Sequence, residues 1–494
     1  MASFYEVAKQ HPKRAAAQTL MHPVAEKYDL GDYFYLDVWP FGWPMLIILN
    51  TDMMNEIEVK TSLPKHPATD QVIRHTGGPG NLVSAEGQTW KRWRSAFNPG
   101  FSASHLMTLV PAIVDQCSIF CNTLTRHAER QDLFRMDPET TKLTIDIIGK
   151  VALDLDFRSQ KEPNELVDTF VNQLRWMNIG VQPSIQSFLD FRAPIMRRYN
   201  TWKMDRYITK RLTERVATRT SRGKGKAVID LALESYLKDV QNSGQSVDDV
   251  KTLPKDFTEA AISNLKVFIF AGHDTTSATI CYTYYYLSRN PTVLAKVRRE
   301  LDEVFGTDPT AVGEHLKRDA YLLNKLEYLL LVIREVLRLQ TPASSIRTGY
   351  KGFVLRDPRT GEAIPADDNF LIYPTGVGFG RSKQYWGDAD VFRPERFLET
   401  YNKDAWLPFS RGIRNCIGQE LAMIEMRIIL AMTLRSFDFH EAFDELEKLK
   451  GDGSGYPSDT TGVQEQFGEP AYQVQVLTAK PREGMPCRVS LRKQ

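Results

Sequence analysis

Near its C-terminus the chain reads Phe409-Ser-Arg-Gly412-Ile-Arg414-Asn-Cys416-Ile-Gly418, and an apolar-periodic run follows at once. A cysteine between two glycines, with two arginines upstream and a helix starting downstream, suits a metal-ligating thiolate. Exposed N–H groups and the macrodipole at a helix N-terminus favour negative charge on sulfur. Gly412 and Gly418 carry no Cβ, so the backbone can turn tightly and a flat cofactor can approach closely. Alone, Cys416 would read as an ordinary buried thiol. The ten residues around it favour the ligand.

A second chemical signal lies at Ala271-Gly272-His273-Asp274-Thr275-Thr276, inside a helical run over 256–289. Glycine within a helix costs ~1 kcal/mol relative to alanine. A mid-helix threonine hydroxyl often bonds back to the carbonyl four residues earlier, here Ala271, and can bend the helix. The combination predicts a locally widened groove with the Thr275 hydroxyl and the Asp274 carboxylate at its edge. Such a pair can relay protons to a bound oxygen species. Ala261, Asn264, Phe268, Ala271, Thr275 and Thr279 fall on one face and would line a pocket. Without Gly272, Asp274 and Thr275 that stripe would read as plain core.

Two further pairs are weak alone, because charged pairs usually decorate solvated surfaces. Glu335 and Arg338 share a face at i, i+3. Arg396, in Phe392-Arg-Pro394-Glu-Arg396-Phe397, could close a buried Glu-Arg-Arg network, which must be fully paired to be tolerated. Trp90 and Arg94, at i, i+4, put an indole N–H and a guanidinium where they could clamp a carboxylate. Arg347 and Arg414 could add cationic donors.

The elements that must position these residues are mostly helical. Apolar periodicity predicts helices over 166–177, 256–289, 291–305 and 324–340, within a largely helical stretch from 88 to 339. A strand, a Pro/Gly turn and a second strand occupy 33–49. Residues 218–226 are polar, basic and glycine-containing, as in a surface loop. The irregular stretch 451–470 precedes a strand-like segment at 471–479. The expected fold class is mostly α with a minor β component, in one body.

Composition excludes several classes. Sixty-three basic and 61 acidic residues in 494 leave a net charge of +2, so no global field points to nucleic acid. Five scattered cysteines make no disulfide framework, which fits a reducing compartment or a cytosol-facing surface. Cys117 and Cys121 could share a metal, but without a second close ligand pair they read as packed thiols. The nine histidines show no ligand spacing, so a zinc hydrolase gains no support. Gly77-Gly78-Pro79-Gly80 does not open a helix after a strand and is no dinucleotide loop. No run approaches the ~18 apolar residues of a membrane-spanning helix, and the start is not a signal peptide. The expectation is a soluble or peripheral protein.

Taken jointly, Trp90/Arg94, 271–275, Glu335/Arg338, Arg396 and Cys416 resemble the cytochrome P450 superfamily in order and spacing. The likeness runs from about residue 25 to the C-terminus, and 409–418 matches the family's F-x-x-G-x-R-x-C-x-G. The resemblance implies a single-domain P450 fold over 25–494, a helical bundle around haem with small β-sheets, after a lead segment over 1–24 lacking an anchor. Cys416 would ligate the iron of a b-type haem, and Asp274 and Thr275 would deliver protons. Trp90, Arg94, Arg347 and Arg414 would hold the propionates. Ala271, Thr276, Phe409 and Gly418 would belong to the haem pocket, with Phe409 shielding the sulfur. Glu335, Arg338 and Arg396 would fix the scaffold beneath the thiolate loop.

It further implies a monomeric monooxygenase acting on a lipophilic small molecule, with electrons from NADPH through a separate cytochrome P450 reductase. Lys91 and Arg92 would serve its docking patch, or simply a solvated basic face. Details at 414–423 and 478–486 resemble filamentous-fungal members of secondary-metabolite pathways. Gly380 departs from the family at a place where many members carry histidine. Location at the cytosolic face of the endoplasmic reticulum follows by analogy, with peripheral contact through 179–210, or a cytoplasmic location. Two alternatives remain: a haem-thiolate isomerase or dehydratase acting on a peroxide, and a non-catalytic haem-binding protein.

Overall fold

β-Branched and aromatic residues at Tyr33–Leu36 (β1) and Met45–Ile48 (β2) pair antiparallel, Tyr33 opposite Ile48, as the strand–turn–strand reading expects. The computed structural model describes residues 2–38, 42–177, 191–217, 227–242, 253–452, 456 and 461–492. A distant strand at Leu371–Pro374 (β6) lies parallel to β2 on its other side. Between them run β3 (Phe134–Arg135) and the β4–β5 hairpin (Val354–Arg356, Ala363–Pro365). β7 (Phe437–Glu441) and β10 (Pro486–Leu491) join β3 in a second small sheet. The predicted strand at 471–479 is instead a hairpin of β8 (Gln473–Gln475) and β9 (Ala479–Pro481). The Val476 N–H donates to the Thr478 carbonyl at the bend.

Helices form the remainder of the body. Those used below are α1 (Met21–Tyr28), α2 (Gly87–Phe97), α3 (Ala103–Arg130), α4 (Met136–Ile148), α5 (Arg192–Ala217), α6 (Lys255–Arg289), α7 (Pro291–Phe305), α8 (Glu327–Leu339) and α9 (Gln419–Thr433). α7 has the bounds predicted for it, helped by Pro291 at its first position. α8 starts three residues late because a 3-10 turn at Ala320–Lys325 occupies the approach. The loop expected at 218–226 lies outside the described residues.

α6 is the axis of the fold. From 261 to 287 every residue is buried except Ala271, Gly272 and Thr275. α4 crosses it closely, since a Cβ on Gly272 would stand 2.8 Å from Ile148. The glycine therefore serves helix–helix approach, at the helix-propensity cost noted above. α3 is the one described helix long and apolar enough to cross a membrane by length and composition. Its apolar stripe, including Val110, Ile113, Cys117 and Phe120, is buried in the core. This is the helix the absence of long apolar runs did not anticipate.

Residues 2–24 share that body. Val7, Met21 and Val24 pack with Phe34, Leu36 and Ile47. The Ala16 N–H donates to the Gln473 carbonyl at 2.8 Å, and the side chains of Gln18 and Gln473 bond at 2.9 Å.

Candidate active site

The loop before α9 is held by its own backbone and by Glu58. The Cys416 N–H donates to the Phe409 carbonyl at 2.9 Å, folding the loop back on itself. Gly412 sits at φ +67°, where a Cβ would lie 2.2 Å from the Glu58 carbonyl, so only glycine fits. The buried Glu58 carboxylate accepts from the Ser410 hydroxyl at 2.5 Å and the Arg411 N–H at 3.0 Å. Cys416 itself presents accessible surface while protein surrounds its other sides, as expected of a residue lining an internal cleft. Burial pushes the thiol's pKa up, and the Gly418 N–H, Arg94 and the Gln419 N–H pull it back. Gly418 is the N-cap of α9, so the sulfur sits at a helix start. Phe409 lies against Trp406, ring centres 5.9 Å apart.

α2 carries Trp90 and Arg94 as predicted, but their partners are specific. Arg94 donates to the Asn415 carbonyl and to the Asn415 side-chain oxygen, each at 2.8 Å. Arg414 lies over the Trp90 ring at 4.6 Å and donates to the Ala85 carbonyl and to Glu86. Burial lowers the Arg414 pKa to about 10. Arg347 is fully buried, 3.4 Å from Glu58 Oε1, and its Nε has no hydrogen-bond partner. Lys65 pairs with the Arg347 backbone and donates to Ser345. Burial foremost, with Arg347 and Arg414 nearby, pulls the Lys65 pKa down to about 7. Cations thus outnumber the carboxylates Glu58 and Glu86, a ground-state imbalance that an anion relieves.

On α6 accessible surface is confined, between 261 and 287, to Ala271, Gly272 and Thr275, and the placement of Asp274 differs from expectation. The Thr275 hydroxyl donates to the Ala271 carbonyl at 3.0 Å, as predicted, and both residues are accessible in an otherwise buried helix. Asp274 is buried and turned away. Its Oδ1 lies 2.9 Å from Lys480 Nζ on β9, and its Oδ2 accepts from the Thr478 hydroxyl. Adjacent helix residues point about 100° apart, so one groove edge does not hold both side chains. Asn264 and Phe268 also leave the predicted lining. Asn264 accepts the Leu82 N–H at 2.8 Å, and Phe268 packs edge-on to Phe97. Thr276 and Ala261 are buried.

Glu335, Arg338 and Arg396 come together as the sequence suggests. Arg338 Nε and Nη2 reach the two Glu335 oxygens at 2.8 Å each, and Arg396 Nε reaches Oε1 at 2.9 Å. The surplus cation is solvated by carbonyls of Gly380, Ala389, Val391, Trp386 and Asp388. All three side chains are buried, so full pairing is required. Gly380 is explained here: a Cβ there would lie 2.1 Å from the Arg338 carbonyl, leaving no room for histidine.

These residues fit the haem that the resemblance implies. Cys416 offers a sulfur donor with accessible surface, and an orphaned buried guanidinium N–H and a lysine of lowered pKa suit carboxylates. Glu58, Lys65, Asn415 and Lys480 were missed in the sequence. Among them only Asn415, adjacent to Cys416, carried a local signal.

Comparison with known proteins agrees. A family model described as Cytochrome P450 matches residues 7–461. The chain is 38% identical over 470 residues to cytochrome P450 monooxygenase polC of Polytolypa hystricis, covering 94% of this chain and 82% of that protein. It is 34% identical over 505 residues to cytochrome P450 monooxygenase acrF of Aspergillus aculeatus, covering 98% and 99%. A bifunctional cytochrome P450/NADPH–P450 reductase of Gibberella moniliformis is 28% identical over 423 residues, covering 82% and 35%. The crystal structure of the cytochrome P450DA heme domain superposes with TM-score 0.74 at 20% identity, covering 97% and 94%.

Proposed function

The chain belongs to the cytochrome P450 family, and on that premise we propose that it is a haem-thiolate monooxygenase. It inserts one oxygen atom from O2 into a lipophilic small molecule, by hydroxylation or epoxidation. The observation that carries this reading is Cys416. Its sulfur is accessible at a helix start, with two backbone N–H groups and Arg94 directed to it.

Haem held through the Cys416 thiolate supplies the reductive activation of O2, for which thiolate donation is suited. The chain's own residues do the rest. Arg94 and Glu58 fix the loop that aims the sulfur. Arg347, Arg414, Lys65 and the Trp90 N–H would hold the two propionates. Thr275, on the accessible part of α6, carries a hydroxyl that donates to the Ala271 carbonyl at rest and would have to leave that bond to donate a proton to a bound oxygen species. Ala271 keeps that part small and apolar, and Ala343, exposed in the segment after α8, extends it.

Electrons come from NADPH through a reductase on a separate chain, whereas the Gibberella relative is named as joining a P450 and an NADPH–P450 reductase in one protein. Lys91 and Arg92, both exposed on α2, form part of its docking surface. The setting is fungal secondary metabolism at the cytosolic face of the endoplasmic reticulum. The test is the carbon monoxide difference spectrum of the reduced protein, followed by turnover with NADPH and reductase on candidate metabolites. A histidine-type Soret band overturns the haem-thiolate reading. Products that form equally without NADPH and O2 overturn the monooxygenase reading.

A further inference from the structure

Glu58 lies in a single π turn, Glu56–Lys60, 352 positions before the serine whose hydroxyl it accepts. Such turns are uncommon and recur at functional sites. The carboxylate is 2% exposed and meets donors from two separate parts of the chain. Its Oε1 stands 3.4 Å from Arg347 Nη2. Its Oε2 accepts from the Ser410 hydroxyl at 2.5 Å and from the Arg411 N–H at 3.0 Å. Arg347 also donates to the Leu63 carbonyl at 3.2 Å, so the segment that carries Glu58 grips the guanidinium at both of its Nη atoms. Among the described residues Glu58 alone bonds to both Arg347 and Ser410.

Ser410 explains why the loop needs that grip. It sits at φ +55°, in the left-handed region where a Cβ is unfavourable and glycine is usual. Its hydroxyl on Glu58 holds it there. The carbonyl just before it, on Phe409, is the acceptor of the Cys416 N–H at 2.9 Å. The Ser410 backbone angle therefore sets the direction of the bond that fixes Cys416. A continuous run of contacts leads from Arg347 through Glu58 and Ser410 to the main chain of Cys416. Every neighbour of the carboxylate along it is a donor. A carboxamide presents an acceptor on one side and N–H groups on the other, so only a carboxylate serves both ends.

We propose that Glu58 is a positioning residue for Cys416, coupling the cation assigned to the haem propionates to the backbone that aims the sulfur. This rests on the haem-thiolate reading above. Losing the cation at Oε1 leaves a buried charge unpaired, which drives Glu58 to take up a proton and weakens its hold on the loop. Loosening Ser410 lets the Cys416 main chain drift, and the sulfur is then held less firmly as the iron ligand. Ser410→Gly removes the backbone strain that the hold opposes, and so frees the loop from its dependence on Glu58.

The carbon monoxide spectrum of the reduced, haem-loaded protein reads the outcome, as the ratio of thiol-type to thiolate-type Soret absorbance. E58Q is expected to raise that ratio about tenfold, the worth of one lost hydrogen bond to a charged group. E58Q/S410G is expected to fall back toward the parent. A carboxylate that merely neutralised Arg347 would give no such rescue, because Ser410→Gly does not touch the guanidinium. A parental ratio in E58Q, or a double variant no better than E58Q, overturns the proposal. A haem-independent arm decides the matter if E58Q takes up no haem or the parent shows no thiolate-type band. In the haem-free protein, R347M and S410A are expected to shift the melting temperature non-additively, although the two side chains share no bond. Additive shifts overturn the coupling, whereas a parent without the thiolate-type band overturns the haem-thiolate reading instead.

Discussion

Arg94 grips Asn415 at two points, the main-chain carbonyl and the side-chain oxygen, each 2.8 Å from the guanidinium. The residue read as a propionate clamp is thus also the anchor of the loop that carries Cys416, one position further on. Hydrogen bonds to charged groups are worth ~1.5–3 kcal/mol each, enough to decide whether a short loop stays in place. Arg94→Ala should lower haem content and move part of the reduced carbon monoxide spectrum away from the thiolate type. Arg94→Lys should recover the charge but not the two-point hold. Haem-to-protein ratio and the difference spectrum measure both.

Lys65 gives a pH dependence of definite sign. Its pKa is lowered to about 7, so between pH 7 and the ordinary lysine value of ~10.4 the folded chain binds fewer protons than the unfolded one. Stability of the haem-free protein should therefore rise with pH across that window and be lowest below pH 7. Haem binding should run the other way, because a carboxylate favours the charged lysine and its uptake of a proton. Affinity should fall as pH passes upward through about 7. Lys65→Met should flatten both curves in thermal melts and haem titrations.

Glu335→Gln removes the carboxylate that Arg338 and Arg396 share. Breaking a buried pair in this way costs ~3–5 kcal/mol. A denaturant titration should show that loss, while any fraction that still folds and binds haem should keep the thiolate-type spectrum.

The loop glycines should part company. Gly412→Ala places a Cβ 2.2 Å from a backbone carbonyl at positive φ, and should abolish folding or haem incorporation. Gly418→Ala meets only the Cys416 sulfur, at 3.9 Å, and should fold with near-parental stability. Gly380→His should fail like Gly412→Ala, because the obstacle is again main chain. Expression and melting temperature separate the cases.

What could be foreseen from the sequence was local. The loop at 409–418 and the pair Glu335/Arg338 keep their chemistry within a few residues, so spacing reveals them. Helix α7 was bounded correctly because a proline and an apolar period mark it. Glu58, Lys65 and Lys480 were invisible because each acts on partners more than two hundred residues away. Asp274 shows the complementary limit. Its neighbour Thr275 makes the back-bond to Ala271 that its position predicts, yet the helical turn between them sends the carboxylate toward β9, whose contribution no local pattern announces.

The bond between Gln18 and Gln473 joins residues 455 apart. At a synthesis rate of ~5–20 residues per second, the tail that completes this contact emerges roughly 20–90 s after the segment that awaits it. For most of that interval Met21, Val24 and their neighbours have β1 and β2 to cover them, and Tyr373 of β6 joins only late. The beginning of the chain is thus among the last parts to close, and a nascent polypeptide interrupted anywhere before β8 cannot finish the architecture that its first residues began.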